Sequence, residues 1–569
     1  VHNAWHMKPF SLTHYLQLFR PKLLTVLHEG YGPARFIKDL IAGLTVAVVA
    51  LPLAMGIAIG SGAPPERGLI TAIIAGFLIS ALGGSRYQIG GPTAAFIVVV
   101  YRTIEHHGYD GMVLATFLAG IMLLVVGLLR LGNYIKYIPY PVTIGFTAGI
   151  GVTIMVSQMA DLFGLSTDKL PGEFVPKVWA LIHAMPTAKL TAIGLSLGCF
   201  IALLVMQKYR PHWPRMLVVV VGASLAVAGL SLDVTTIGTK FGAIASSLPM
   251  PQWPVFTLEK VRAVLPDAAT IALLAGIESL LSAVVADGMT GRRHRSNAEL
   301  VAQGIANIIT PLFGGLPATG AIARTATNIR AGSTGPVSGI MHAVFLLIFM
   351  MVAAPLASYV PLAVLAVILA IVAWNMSEVH VVGEFLSHAT WGDRVVLLTT
   401  MALTVLYDLT LGIEVGVVLA AFKFMHNMAN VVEIETNVKL VEEERPDVVR
   451  APRPYFDIPN LDQSVVIYRI HGPFFFGAAT ELTATMGRDR QPPRLLILDF
   501  ADVPLLDSTG ASALKGVIGG AKRKGTKVII THASKRILRS MVRYGVKRPE
   551  VMFYTAPSIE RALEIHKAT

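Results

Sequence analysis

Gly314-Gly315-Leu316-Pro317-Ala318-Thr319-Gly320-Ala321-Ile322-Ala323-Arg324 interrupts a strongly apolar sequence with glycine and proline, then opens a helical run that carries an arginine. Gly335 and Pro336 close that run, so the helix over about 320–331 holds ~10–12 residues. At 1.5 Å per residue it is roughly 15–18 Å long, half of a ~30 Å hydrocarbon core. A half-length helix in lipid leaves backbone groups unpaired unless it lines a protected cavity. Its N-terminal amides then place partial positive charge near the bilayer midplane, as in the broken helices of transporters. Arg324 adds a full charge at the same place.

The stretch Gly83-Gly84-Ser85-Arg86-Tyr87-Gln88-Ile89-Gly90-Gly91-Pro92-Thr93-Ala94-Ala95-Phe96 repeats the design, with a short apolar helix ending near Arg102. Either cluster alone reads as a loop between ordinary spans. Two of them at matching places in two halves point to an inverted repeat with a site between the half-helices.

The composition agrees. Of 569 residues 54% are hydrophobic and 14% charged, against about a quarter charged in soluble domains. The chain therefore reads as a polytopic α-helical membrane protein. Apolar segments fall at about 41–60, 68–82, 92–101, 112–129, 140–160, 190–206, 216–231, 265–286, 298–313, 320–331, 337–354, 356–374, 394–407 and 411–427, fourteen in all, two of them half-helices. Basic residues cluster in alternate connections: Arg130 and Lys136; Lys208, Arg210 and Arg215; Arg292, Arg293 and Arg295. The intervening connections mix signs, with Glu105 and Asp110, then Asp168, Lys169, Glu173 and Lys177, then Asp233, Lys240, Glu259 and Lys260. The positive-inside rule then puts both termini in the cytoplasm and gives seven segments plus seven, inverted because seven is odd. Topology, rather than a nucleic-acid partner, accounts for the net charge of +12.

Residues 1–39 read as a cytoplasmic lead-in without a cleavable signal peptide, and 40–430 as the transmembrane domain. Residues 431–454 read as a charged linker and 455–569 as a small α/β domain with alternating strands and helices. Cys199, the single cysteine, excludes a disulfide framework. His106-His107 read as an external loop, too isolated for a metal site. Gly194-Leu195-Ser196-Leu197-Gly198 matches a hydrolase pattern but lies mid-span, where no strand-to-helix elbow forms. No phosphate-cradling glycine loop is present, so ATP does not drive the protein directly. The expectation is a non-enzyme without cofactor.

Arg324 and Glu278 are the ionisable groups deep in apolar segments, and each is a functional candidate for that reason. They either serve a pathway or form a buried pair that only ties two elements together. Glu278 and Ser282 lie four apart on one helical face, so both can border the cavity. A carboxyl group that is costly in lipid as a charge suits uptake of a proton with each anion. Asp408 and Glu414 read as interfacial, at an external turn.

Ser85-Arg86 with Gly91-Pro92, the half-helix at Arg324, Asn297-x-Glu299-Leu300-x-x-x-Gly304-x-x-Asn307 and Leu506-Asp507-Ser508-Thr509-Gly510 together resemble the SulP sulfate-permease anion transporters. The resemblance covers nearly the whole chain. It implies a core and a gate built from a seven-plus-seven inverted repeat, followed by a STAS domain. Ile277-Glu278-Ser279-Leu280-Leu281, Asp287-Gly288-Met289-Thr290-Gly291 and Val372-Ala373-Trp374-Asn375-Met376-Ser377-Glu378 most resemble the bacterial C4-dicarboxylate branch. That branch implies proton-coupled uptake of fumarate, succinate or aspartate, with sulfate or bicarbonate as the alternative cargo.

Four positions depart from what many relatives carry: Ala323 where they have serine, Leu53 after Pro52 where they have glutamine, Thr93 where an aromatic often follows the Gly-Pro, and Glu278 where sodium-coupled bicarbonate members have aspartate. The last makes protons, rather than sodium, the expected coupling ion. The anion is expected between Gly91, Pro92, Thr93 and Ala94 on one side and Ala323, Arg324 and Thr325 on the other, beside Ser282, with elevator-like movement of the core. Relatives of the STAS domain are phosphorylated at the hydroxyls equivalent to Ser508 or Thr509; a plain helix N-cap by Asp507 or Ser508 is the alternative. Further expectations are a homodimer in the bacterial inner membrane and a cytoplasmic partner for the STAS domain. An anion channel is the reading from another class.

Overall fold

The structure, a computed structural model, describes residues 17–132, 139–167, 170–210, 213–407, 409–430, 433–436, 464–474, 493–546 and 553–567. Residues 1–16 of the lead-in, Lys136, Asp168, Lys169, Asp408, residues 437–454 of the linker and the side chain of Thr509 lie outside the described residues. The chain forms two compact units, Val1–Val418 and Leu419–Thr569. The division falls inside the last long helix, before the linker expected from composition.

The first unit contains α1 (Pro33–Gly60), α2 (Pro65–Leu82), β1 (Gly90–Gly91), α3 (Ile97–Leu128), α4 (Tyr140–Phe163), α5 (Phe174–Ala184), α6 (Leu190–Tyr209), α7 (Arg215–Leu230), α8 (Leu258–Thr290), α9 (Ser296–Ile309), β2 (Thr319–Gly320), α10 (Ile322–Arg330), α11 (Val337–Ala357), α12 (Leu362–Met376), α13 (Val379–His388), α14 (Trp391–Leu406) and α15 (Leu409–Asn430), whose end passes into the second unit. Among the described residues, nine helices are long and apolar enough to cross a membrane. One of them is two segments in one, because Gly108 (φ 70°) breaks α3. With α7, α9, α10 and α14, these account for the fourteen apolar segments.

Local sequence sets the helix ends. Pro33 and Pro65 start α1 and α2, where the missing N–H costs nothing. The Thr257 hydroxyl accepts from Lys260 N at the start of α8, and Gly291 (φ 67°) closes it in the left-handed region.

Helix packing follows the repeat. Gly43 lets α1 approach α11 so closely that a Cβ there would lie 2.6 Å from Ser338 O, and the second half of α3 packs on α8, with Val264 in ordinary contact beside Gly111. Gly120 brings that half of α3 onto Gly304 of α9, as Gly339 brings α11 onto Ser80 of α2. Each contact recurs when every segment is advanced by seven, which is the inverted repeat expressed as glycine contacts. Gly145 and Gly149 of α4 pack on Leu397, Thr400 and Thr404 of α14. Segments one to four and eight to eleven make the core, and the remainder the gate.

Several expectations are corrected. The third segment, expected at 92–101, starts as a 3-10 turn, Ala94–Phe96, and stays helical to the break at Gly108. His106 and His107 therefore belong to its last turn rather than to a loop, and His107 Nε2 lies 3.5 Å from Asp267 Oδ2. α5 and α13 occupy connections that composition left irregular. Ser196 sits mid-helix and donates to Leu162 O at 2.9 Å, in keeping with its discounted motif.

The second unit is a five-stranded sheet in the order β3-β4-β5-β6-β7: β3 (Glu433–Thr436), β4 (Val465–His471), β5 (Leu495–Asp502), β6 (Lys527–Thr531) and β7 (Phe553–Ala556). β3 runs antiparallel to β4 and the other pairs are parallel. β3 was expected to be linker; its Glu-Ile-Glu-Thr alternation is too short to stand out beside the charged run that follows. Among the described residues three helices, α16 (Ser508–Arg523), α17 (Lys535–Arg543) and α18 (Ile559–Lys567), pack with the sheet. Strand alternation gives the sheet two apolar faces: Leu496, Leu498 and Phe500 pack with Leu514 and Ile518 of α16, while Leu495 and Ile497 pack with Ala562 of α18. Asp499 is fully buried at the carboxyl edge of β5 and accepts from Arg469 Nε (2.8 Å), His532 Nδ1 (2.7 Å) and Thr531 Oγ1 (3.1 Å). Burial alone would raise its carboxyl pKa, but the bonds from His532 and Arg469 outweigh it and hold the group below the usual carboxylate value.

Candidate anion-binding site

The two Gly-rich interruptions meet. β1 pairs antiparallel with β2, Gly90 opposite Gly320 and Gly91 opposite Thr319, and each strand runs directly into a half-helix. The ladder needs glycine: a Cβ on Gly320 would lie 1.6 Å from Gln88 Nε2. Ala321 N donates to Ile89 O at 2.8 Å, and Ile89 N donates to the Thr325 hydroxyl at 3.1 Å. The half-helices therefore begin side by side and run apart, with Thr93 and Ala321 as extended N-caps whose side chains make no capping bond. Their first-turn amides have no intrahelical acceptor and carry the positive end of each helix. Ala94 is buried, whereas Ala323 is exposed, so the second terminus is open to a ligand.

Arg324 is 2% exposed. Its Nη2 donates to Pro92 O across the two strands, while Nε and Nη1 have no partner. Gly91 makes room for the guanidinium: its φ is +151°, and a Cβ there would stand 2.4 Å from Nη1. The buried Glu278–Arg324 pair is not formed; among the described residues Arg324 has no carboxylate partner. Glu278, buried in α8, instead faces the Thr93 hydroxyl, which has no well-formed hydrogen bond. A guanidinium with free donors, two helix N-termini and a carboxyl group thus converge on one place. The chemistry of such a site suits an anion, with a proton-exchanging group beside it.

Ser282 and Thr325 are brought together but turned on each other, Ser282 Oγ donating to Thr325 Oγ1 at 3.1 Å. With Gln88 Nε2 to Ser279 Oγ (2.8 Å) and Thr319 Oγ1 to Ala275 O (2.8 Å), they brace α8 against the strand pair. In the second unit, Asp507 Oδ1 caps α16 by accepting from Gly510 N at 2.7 Å, leaving Ser508 exposed.

Sequence reasoning missed several buried polar groups. Glu299 is fully buried and accepts from Gly84 N (2.8 Å), Ser85 N (3.0 Å) and Gln303 Nε2 (3.0 Å), anchoring the loop that leads to β1. Asp39 ties Tyr31 to Thr334. His342 of α11 is fully buried with both ring nitrogens unpaired, packed near Gly76 and Gly90. The spacing Glu299–Gln303–Asn307, four and four, is a signal that was available: one helical face carries three polar residues.

Residues 36–400 match the model of the sulfate permease family and residues 459–563 that of the STAS domain. The chain is 42% identical over 88% of its length to the putative sulfate transporter YvdB of Bacillus subtilis, covering 92% of that protein. It is 31% identical over 90% of its length to the bicarbonate transporter BicA of Synechocystis, again covering 90% of the relative. The fold is similar to that of the murine Solute Carrier 26 family member A9 anion transporter, with a TM-score of 0.85 at 18% identity, covering all of this chain and 97% of that one. These relatives are named for sulfate and bicarbonate, and nothing among them supports the expected dicarboxylate branch. With paired half-helices, a buried arginine and a family match over most of its length, this chain is a multi-pass anion transporter belonging to the sulfate permease family.

Proposed function

We propose that the protein is a secondary transporter of a small oxyanion, sulfate first and bicarbonate second, that binds where the two half-helices begin. The observation that carries this reading is Arg324: buried, without a carboxylate partner, and with free donors beside two helix N-termini. A buried, unpaired charge is costly unless a ligand completes it. The names of the relatives move the preferred cargo from C4-dicarboxylates to inorganic oxyanions. Gly91, Pro92, Thr93 and Ala94 line one side and Ala323, Arg324 and Thr325 the other. Ser282 acts by holding Thr325 in place.

Glu278, facing Thr93, takes up the coupled proton. The core moves as an elevator against the gate, in a homodimer within the bacterial inner membrane with both termini in the cytoplasm. Ser508 is the accessible hydroxyl through which the STAS domain would be regulated or meet a partner.

Uptake of labelled sulfate, bicarbonate and fumarate into proteoliposomes, with and without gradients of protons and sodium, tests the proposal. Saturable sulfate or bicarbonate uptake that rises with an inward proton gradient is expected. Fumarate uptake that sulfate does not inhibit would return the cargo to the dicarboxylates. Single-channel currents would replace the carrier with a channel.

A further inference from the structure

α5 is built inside out. Its Val175, Trp179 and Ile182, four and three residues apart, are 59%, 65% and 56% exposed, while the side turned inward presents Lys177 and Leu181, each 6% exposed. A helix in water turns its charges outward. The reverse suits a helix at the lipid boundary, with Trp179 at headgroup level, and it aims a lysine into the protein.

That ammonium is poorly satisfied. It has three donors, yet among the described residues Nζ has one acceptor, Ser157 Oγ of α4 at 3.2 Å, and lies 5.1 Å from the centre of the Tyr101 ring of α3. Glu105 is held by Gly172 N at 3.2 Å and acts on the lysine only at longer range. Burial pushes the Lys177 amine below its ordinary value.

Lys177 opens on a cavity lined by Val98 and Arg102 of α3, Thr153 of α4 and Thr404 of α14. One wall is core and the other gate. Val98 and Arg102 follow Ala94 by one and two helical turns, roughly 6 and 12 Å along the half-helix, so the cavity lies on the way out from the anion site. Its volume of about 20 Å³ admits a water-sized group, so the crevice has to widen before it takes an oxyanion.

We propose that Lys177 is an outer capture site for the transported oxyanion. As the crevice opens, the ammonium exchanges its contacts with Ser157 and Tyr101 for an anion oxygen, then passes the anion along the half-helix to Thr93. This rests on the small-oxyanion reading of the central site.

Influx and efflux of labelled sulfate by the full-length protein, in proteoliposomes of uniform orientation, test it. Lys177→Gln is expected to raise the outer-face KM about tenfold at unchanged influx kcat, the worth of one charge-assisted bond, and, as microscopic reversibility requires, to lower efflux kcat by a similar factor with the inner-face KM within about twofold. Lys177→Arg is expected to restore it. Because Cys199 is buried and the single cysteine, Lys177→Cys on a Cys199→Ser background gives a clean third arm. Aminoethyl methanethiosulfonate added outside should lower the raised KM, and sulfate should slow that modification. An unchanged outer KM overturns the proposal, as does a KM raised equally at both faces with a lower melting temperature, which would make Lys177 a strap. A wild type that carries no oxyanion at all overturns the central reading and this one with it.

Discussion

The two half-helices share a plan and divide the chemistry. The first follows Gly-Gly-Pro-Thr and opens with Ala94, Ala95 and Phe96, all buried. The second opens with exposed Ile322 and Ala323 and carries Arg324, Thr325 and Asn328 on its buried side. The helices behind them differ in the same sense. α1 turns Ala47, Ala50, Ala54 and Ala58 inward, whereas α8 turns Glu278, Ser279 and Ser282. One repeat supplies shape and backbone dipole and the other supplies charge. A symmetric scaffold thus holds a single asymmetric site, which has one orientation for its ligand.

Arg324→Met attacks that division most directly. It is expected to lower kcat/KM by more than about a hundredfold, roughly 3 kcal/mol, while thermal stability stays level or rises, because a buried charge gives way to an apolar group. Transport surviving this change would mean that the first repeat alone binds the anion.

Gly91→Ala tests the other side. Its Cβ meets the guanidinium, and its φ of +151° disfavours any side chain, so transport should fall about tenfold with ~1–3 kcal/mol of stability. Gly194→Ala in α6, with nothing within 4 Å of its Cβ, should change neither flux nor melting temperature.

Glu278→Gln is expected to leave sulfate exchange within about threefold and to abolish its stimulation by a proton gradient. Unchanged stimulation would remove Glu278 from the coupling role and sharpen the contrast to Arg324 alone.

The smallest effect on transport is expected outside the pair, at Asp499→Asn in the second unit, where hydrogen exchange of residues 464–567 should report a loss of about 3 kcal/mol. Asp499 has a folded pKa below its unfolded value of about 3.9, so its contribution is complete above that value and is lost as pH falls through the folded one. The variant should therefore lack part of the acid-induced opening of the wild type.

The half-helices were legible because their signal is local: Gly-Pro punctuation inside apolar sequence gives length and position without tertiary knowledge. Arg324 and Glu278 stood out because an ionisable residue among apolar neighbours is visible one segment at a time. What joins them was hidden. The Gly90–Gly320 pairing, the Ser282–Thr325 bond and the choice of Pro92 O rather than Glu278 as the partner of Arg324 depend on how distant segments pack. Asp39 drew no notice and Glu299 entered only as a letter of a motif, because it is packing that buries them. Lys177 passed as a loop charge because α5 reverses the usual amphipathic sense. The dicarboxylate expectation found no support among the relatives, for a physical reason: motifs shared across a family describe the cradle, and its cargo is chosen by oxygens and free space around it.

The two-residue ladder between β1 and β2 has a kinetic consequence. It rivets both repeats at their deepest point, so the docking berth is one undivided piece built from both halves of the chain. The berth's fixed shape bears on how fast it turns over, whereas the net direction of flux follows the gradients of cargo and of any coupled ion.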